Sequence, residues 1–178
     1  MEAWIWGYSD RLSARPGERV ALHLAGSAPR CRVEIARVGR ERSVVARHED
    51  VPIAPHPVPP RAHVAGCGWP PALRFAVGSD WPSGYYDVVL RGADGAEGRH
   101  LLVVKAARPT APAVLVLATN TYHAYNWWGG ANTYLWLGGP APAPIPDDPA
   151  ERVVSGRLSA ERPFSAGLLR PRAATHRI

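Results

Sequence analysis

The sequence predicts a mainly β protein, an antiparallel β-sandwich over residues 1–107 followed over residues 108–178 by the truncated start of an α/β domain. Three observations predict it. Apolar and polar residues alternate with period two through the first part, so each strand buries one face and wets the other. The 19 prolines and 17 glycines of the 178 residues mark turns between short segments. After residue 108 the alternation gives way to one continuous apolar run. At roughly 100–200 residues per domain, this length holds one domain and part of another.

Taken in order, Val20, Leu22 and Leu24 alternate with Arg19, Ala21 and His23. Cys31, Val33 and Ile35 alternate with Arg32 and Glu34, and Leu73, Phe75 and Val77 with Arg74 and Ala76. Turns fall at Arg15-Pro16-Gly17-Glu18, Trp81-Pro82-Ser83-Gly84 and Gly92-Ala93-Asp94-Gly95. The last lies between Tyr86-Asp87-Val88-Val89-Leu90 and His100-Leu101-Leu102-Val103-Val104, which predicts a hairpin. The Pro-rich stretch 51–71 reads as a long loop across the sandwich.

A boundary falls at Arg108-Pro109-Thr110-Ala111-Pro112. Ala113-Val114-Leu115-Val116-Leu117-Ala118 has no alternation, as in a parallel strand buried on both faces. Thr119-Asn120-Thr121 supplies N-cap residue types for a short helical, aromatic segment to Trp128, ended by Gly129-Gly130. Residues 137–149 read as loop, and the last nine residues give no closing element. One buried strand needs neighbours on both sides and helices above and below, and this segment does not supply them. The expectation is therefore an incomplete domain, finished downstream or by another chain.

The net charge of +6 does not read as nucleic-acid binding. Of 21 basic residues only Lys105 is lysine, and the arginines are scattered among acids, as at Glu34 to Arg37 and Glu41-Arg42. Phosphate binding needs basic residues gathered on one face. No apolar run reaches 18 residues, and Met1-Glu2-Ala3-Trp4-Ile5-Trp6 lacks a signal-peptide pattern, so the chain is expected to be cytoplasmic, without a membrane partner. Cys31 and Cys67 are too few and too far apart for a metal motif, and Cys31 falls in a strand pattern as a buried thiol.

G-x-S-x-G, the P-loop lysine, H-E-x-x-H and C-x-x-C are all absent, so no catalytic residue is assigned. His48, His56 and His63 read as solvated loop histidines, and Asp147-Asp148 as a loop cap. The unusual stretch is residues 119–134, just past the C-terminal end of the expected strand, where ligands bind in open α/β sheets. On a helix, Tyr122 and Tyr125 share a face. An aromatic cluster bridging two domains explains the same residues equally well. In another class of function, the sandwich is a non-catalytic module presenting Trp4, Trp6, Trp69 and Trp81 to a carbohydrate or protein partner.

Five blocks follow one another in order: residues 7–18, Arg32-Val33-Glu34-Ile35-Ala36-Arg37-Val38-Gly39, Trp81-Pro82-Ser83-Gly84-Tyr85-Tyr86, residues 119–130, and Glu161-Arg162-Pro163-Phe164-Ser165. That ordered set resembles the N-terminal portion of the N,N-dimethylformamidase large (beta) subunit family. The resemblance implies a sandwich followed by a domain similar to class I glutamine amidotransferases. It also implies hydrolysis of a formamide-type amide to formate and an amine, at a mononuclear iron held by two tyrosines and one glutamate. Tyr125 matches the first tyrosine and Tyr134 the second, after a shorter loop, while the third ligand would lie beyond Ile178. Thr121 and Asn126 are the candidate substrate-binding residues. Relatives often read Arg-Pro-Tyr where this chain has Arg162-Pro163-Phe164. The expected partners are a small amide substrate and a small subunit or completing chain, and the chain alone is expected to be inactive.

Overall fold

In the computed structural model, which describes residues 2–108, 110–134 and 153–169, the alternating segments become strands with their apolar residues on one face. β1 (Ile5–Ser9), β3 (Arg19–Gly26) and β6 (Pro71–Ala76) form an antiparallel sheet in the order β1-β3-β6. β2 (Ser13–Ala14), β4 (Arg30–Val38), β5 (Arg42–Pro52), β7 (Gly84–Gly92) and β8 (Glu97–Val104) form a second sheet in the order β2-β8-β7-β4-β5, antiparallel except for β2 on β8. Val20, Leu22 and Leu24 from the first sheet share one buried core with Val33, Ile35, Val88, Leu90, Leu102 and Val104 from the second. That shared apolar layer makes the two sheets a sandwich. Its removal from water, at about 25 cal/mol per Å², is the main stabilising contribution.

The hairpin predicted between residues 86 and 104 is β7–β8, closed by Gly92 N–H on the Ala96 carbonyl at 2.9 Å, with Gly95 at φ 89°. Gly98 has a different reason to be glycine. A Cβ there would lie 2.6 Å from the Ile5 carbonyl oxygen, so β1 can close against β8 only because no side chain intervenes.

The stretch 51–71 is mostly loop, as expected, with short regular pieces. β5 runs on to Pro52, α1 (Ala62–Ala65) follows, and Pro71 opens β6. β5 is an edge strand, half exposed, whose ladder with β4 shifts register twice. Those shifts blur the alternation that reveals a strand.

The outward face of the five-stranded sheet carries a closed ring of ion pairs. Glu34 meets Arg42 (2.8 Å) and Arg91 (4.0 Å), Asp87 meets Arg42 (3.4 Å) and Arg99 (2.9 Å), and Glu97 meets Arg91 (3.5 Å) and Arg99 (2.9 Å). Burial raises the Glu34 carboxyl, but hydrogen bonds from Arg42 and Arg47 outweigh it and hold the group below the usual carboxylate range. The acids of this ring are thus each held by more than one arginine.

Beyond β8 the expectation of a buried strand over residues 113–118 is not met. No strand forms there, and Val114, Leu115 and Val116 are 85%, 80% and 83% exposed. A parallel strand has no hydrogen-bond partners without neighbours, and the described residues offer none. The helical segment does form, as α2 (Thr119–Tyr125), with Thr119 inside the helix and Ala118 at its N-cap. β9 (Ala131–Asn132) pairs in parallel with β10 (Val153–Val154). The expected loop over 137–149, with Asp147 and Asp148, and the tail 170–178 lie outside the described residues. Among the described residues no helix is long and apolar enough to cross a membrane.

Candidate functional site

The segment after β8 is anchored to the sandwich by one tryptophan. Trp128 is fully buried and packs edge-on against Trp6 (centroids 6.2 Å, 67°) and Trp69 (5.8 Å, 87°). Around it lie Tyr8, Ala25, Ala62 and Cys67, a second core on the outer side of the three-stranded sheet. A second strap, residues 159–165, lies along α1. Ser159 N–H donates to the His63 carbonyl (2.7 Å) and Cys67 N–H to that of Glu161 (2.9 Å). Gly66, at φ 81°, permits the approach, since a Cβ there would sit 3.0 Å from that of Glu161.

That strap carries Arg162, fully buried and, among the described residues, bonded only to main-chain carbonyls. Nε donates to Ser159 (3.2 Å), one terminal nitrogen to Trp128 and Ala131 (3.1 Å), and the other to His123 (3.4 Å) and Asn126 (3.0 Å). Burial pulls its pKa down to about 10, so it remains a cation at neutral pH. Asn126, also fully buried, donates through Nδ2 to the Pro163 carbonyl (2.8 Å). Its Oδ1 accepts from Trp128 N–H (3.2 Å) and from Ser165 N–H and Oγ (2.9 and 3.0 Å).

Within this frame Tyr125 closes α2 and Tyr134 follows β9. Thr133 N–H donates to the Ala124 carbonyl (3.0 Å) and Tyr134 N–H to Asn132 Oδ1 (2.8 Å), which turns the chain back on the helix. The two rings stack, with centroids 4.5 Å apart and planes at 23°. Both are half exposed, at 49% and 47%. Thr121 lies exposed one helical turn before Tyr125. Tyr122 is half-buried toward Tyr85 and does not join the pair. Of the four sequence candidates, then, Tyr125 and Tyr134 come together, Thr121 stands beside them, and every polar atom of the Asn126 side chain is engaged by the fold.

The family model described as N,N-dimethylformamidase beta subunit-like, C-terminal, matches residues 32–176. The chain belongs to that family. The match starts inside β4 and takes in most of the sandwich as well as both tyrosines; its description names a C-terminal region, whereas the sequence motifs resemble the N-terminal portion. No curated protein matches. Among solved structures, Spo0M, a sporulation control protein from Bacillus subtilis, is similar with a TM-score of 0.37 and 12% identity, over 61% of this chain and 51% of that one. The chain thus spans about half the length of that structure.

Other polar groups of this dimethylformamidase-like chain are committed to its interior. Ser9 Oγ donates to the Arg11 carbonyl (2.6 Å), so it accepts from His100 Nε2 (2.7 Å). The imidazole nitrogen facing the serine therefore carries the proton, and Ser9 has no base to activate it. Phe164 lies between His100 (5.7 Å) and His123 (5.1 Å). His123 is pushed below the usual imidazole range by burial and then by Arg162. Of the three histidines expected in loops, His56 is in one, stacked on Trp69, while His48 is in β5 against Phe75 and His63 is in α1. Among the described residues no three His, Cys, Asp or Glu side chains gather for a metal. Cys31 and Cys67 are buried free thiols. Trp69 and Trp81 are buried, and Trp4 and Trp6 pack against the second core, so these rings serve the fold.

Sequence reasoning missed Arg162 and the holding role of Asn126. In a chain with 21 basic residues, one arginine that is buried has no local mark.

Proposed function

We infer that this chain is part of an iron-dependent hydrolase of formamide-type amides and is inactive as it stands. The observation that carries the reading is the Tyr125–Tyr134 stack: two hard oxygen donors, nine positions apart, brought to 4.5 Å between ring centroids at a half-exposed edge. Phenolate oxygens suit a ferric ion in kind. When bound, iron would supply positive charge to polarise an amide carbonyl or activate water.

The chain's own residues divide the remaining work. Both phenols reach solvent, so their protons have a route out when a cation approaches. Thr121 has an exposed hydroxyl one turn from Tyr125, placed to hydrogen-bond a small polar substrate. Asn126 contributes by holding the turn after Tyr125, because its side chain is fully buried and both its polar atoms are bonded to the fold. The third ligand is a carboxylate from outside the described residues. The same incompleteness accounts for the exposed run at Val114, Leu115 and Val116, which we read as the first strand of an amidotransferase-like α/β sheet completed by another subunit or further chain.

Elemental analysis and visible absorption of the purified chain test this reading. The expected result is no stoichiometric iron and no tyrosinate-to-iron charge-transfer band. A coloured 1:1 iron complex in the purified chain would overturn the incompleteness while supporting the site, and amide hydrolysis by the chain alone would overturn the inactivity.

A further inference from the structure

We propose that Arg162 is the positioning residue of the tyrosine pair, a side chain that ties the helix ending in Tyr125 to β9, which Tyr134 follows. The inference rests on the reading of those tyrosines as the site's ligand pair. A guanidinium has five N–H donors fixed in a plane. In Arg162 each meets a carbonyl: His123 and Asn126 at the end of α2, Trp128 in the turn, Ala131 in β9, and Ser159 in its own strap.

Two features set this arrangement apart from ordinary packing. A buried arginine is usually paired with an acid, but this one makes no ion pair with a carboxylate among the described residues. Its charge is instead spread over carbonyl dipoles, including those at the C-terminal end of α2, where a cation is favoured. The carbonyls it gathers are also the ones that fix the site. His123 and Asn126 flank Tyr125 at two residues before and one after, and Ala131 is three before Tyr134. Released from the guanidinium, the helix end and the residues after β9 still share the bond from Thr133 to Ala124. Lysine cannot replace it, since three donors on a point charge do not span five acceptors.

Intramolecular dityrosine formation reads the pair directly. Photo-oxidation with ruthenium tris-bipyridyl and persulfate removes one electron and one proton from each phenol, and stacked rings couple. The wild-type chain should give a cross-linked peptide joining Tyr125 and Tyr134. R162K should reduce that yield roughly tenfold through lost orientation, with far-UV circular dichroism and the cooperative melt of the sandwich retained. R162A should lose the cross-link and regain it on addition of ethylguanidinium. If R162A does not fold, R162K alone carries the comparison. Wild-type yield in the folded Arg162 variants overturns the proposal. A wild-type chain that forms no such cross-link overturns it together with the reading beneath. Loss of the cross-link in the variants supports the positioning role whatever an iron titration gives, so the two failures are distinguishable.

Discussion

Ser9 Oγ and His100 Nε2 lie 2.7 Å apart at the edge where β1 meets β8, with the serine proton given to Arg11. The bond sets the tautomer of the neutral His100 imidazole, protonated on Nε2, and its Nδ1 has no partner among the described residues. Burial, and then the neighbouring His123, pulls its pKa from 6.5 to about 3. An unfolded chain therefore takes up a proton below pH 6.5 that the folded chain refuses until about pH 3. Stability falls as pH drops through that window, by roughly 1.4 kcal/mol per pH unit for a single group. Urea unfolding at several pH values should show this slope in the wild type and a slope smaller by about one proton in His100→Asn. Equal slopes would contradict the assignment.

The ion-pair ring separates buried from exposed contributions. Asp87 is almost fully buried between Arg42 and Arg99, while Glu97 on the far side is open to solvent. Asp87→Ala should cost about 1–3 kcal/mol, since two arginines lose their acceptor but can still reach water. Glu97→Ala should cost under about 1 kcal/mol. Chemical denaturation of the two variants checks the order, and a larger loss from Glu97→Ala would reverse the account.

Asn126 is predicted to behave as a structural residue. Asn126→Ala leaves the amides of Trp128 and Ser165 without an acceptor and the Pro163 carbonyl without a donor, all in the interior. The expected loss is about 2–4 kcal/mol. A variant as stable as wild type would return Asn126 to the role of a free substrate ligand.

The exposed run gives the opposite expectation. Leu115→Ser should change the unfolding free energy in urea by no more than about 0.5 kcal/mol, because Leu115 touches little. A loss of about 2–5 kcal/mol would mean that the side chain is buried in solution.

How far the sequence could be read depended on whether a pattern was local. Val20 to Leu24, Cys31 to Ile35 and the β7–β8 hairpin were legible because each strand carries its own alternation and turn. β5 was not, because an edge strand with two register shifts has no clean face. The run 113–118 looked buried because apolar residues report a preference, and burial needs neighbours that no local window contains. At the site the residue types of Tyr125 and Tyr134 were visible, but their stacking was not. It depends on Arg162, 28 positions beyond Tyr134, acting through the backbone rather than through any pattern of side chains.

Ferric nitrilotriacetate titration tests the central claim most directly, since the chelate lends carboxylates in place of the missing ligand. A phenolate-to-iron charge-transfer band should grow to one iron per chain, weaken in Tyr125→Phe and in Tyr134→Phe, and vanish in the double variant. A band that is absent from the wild type, or one that survives in the double variant, would contradict the assignment of this tyrosine pair as the iron site.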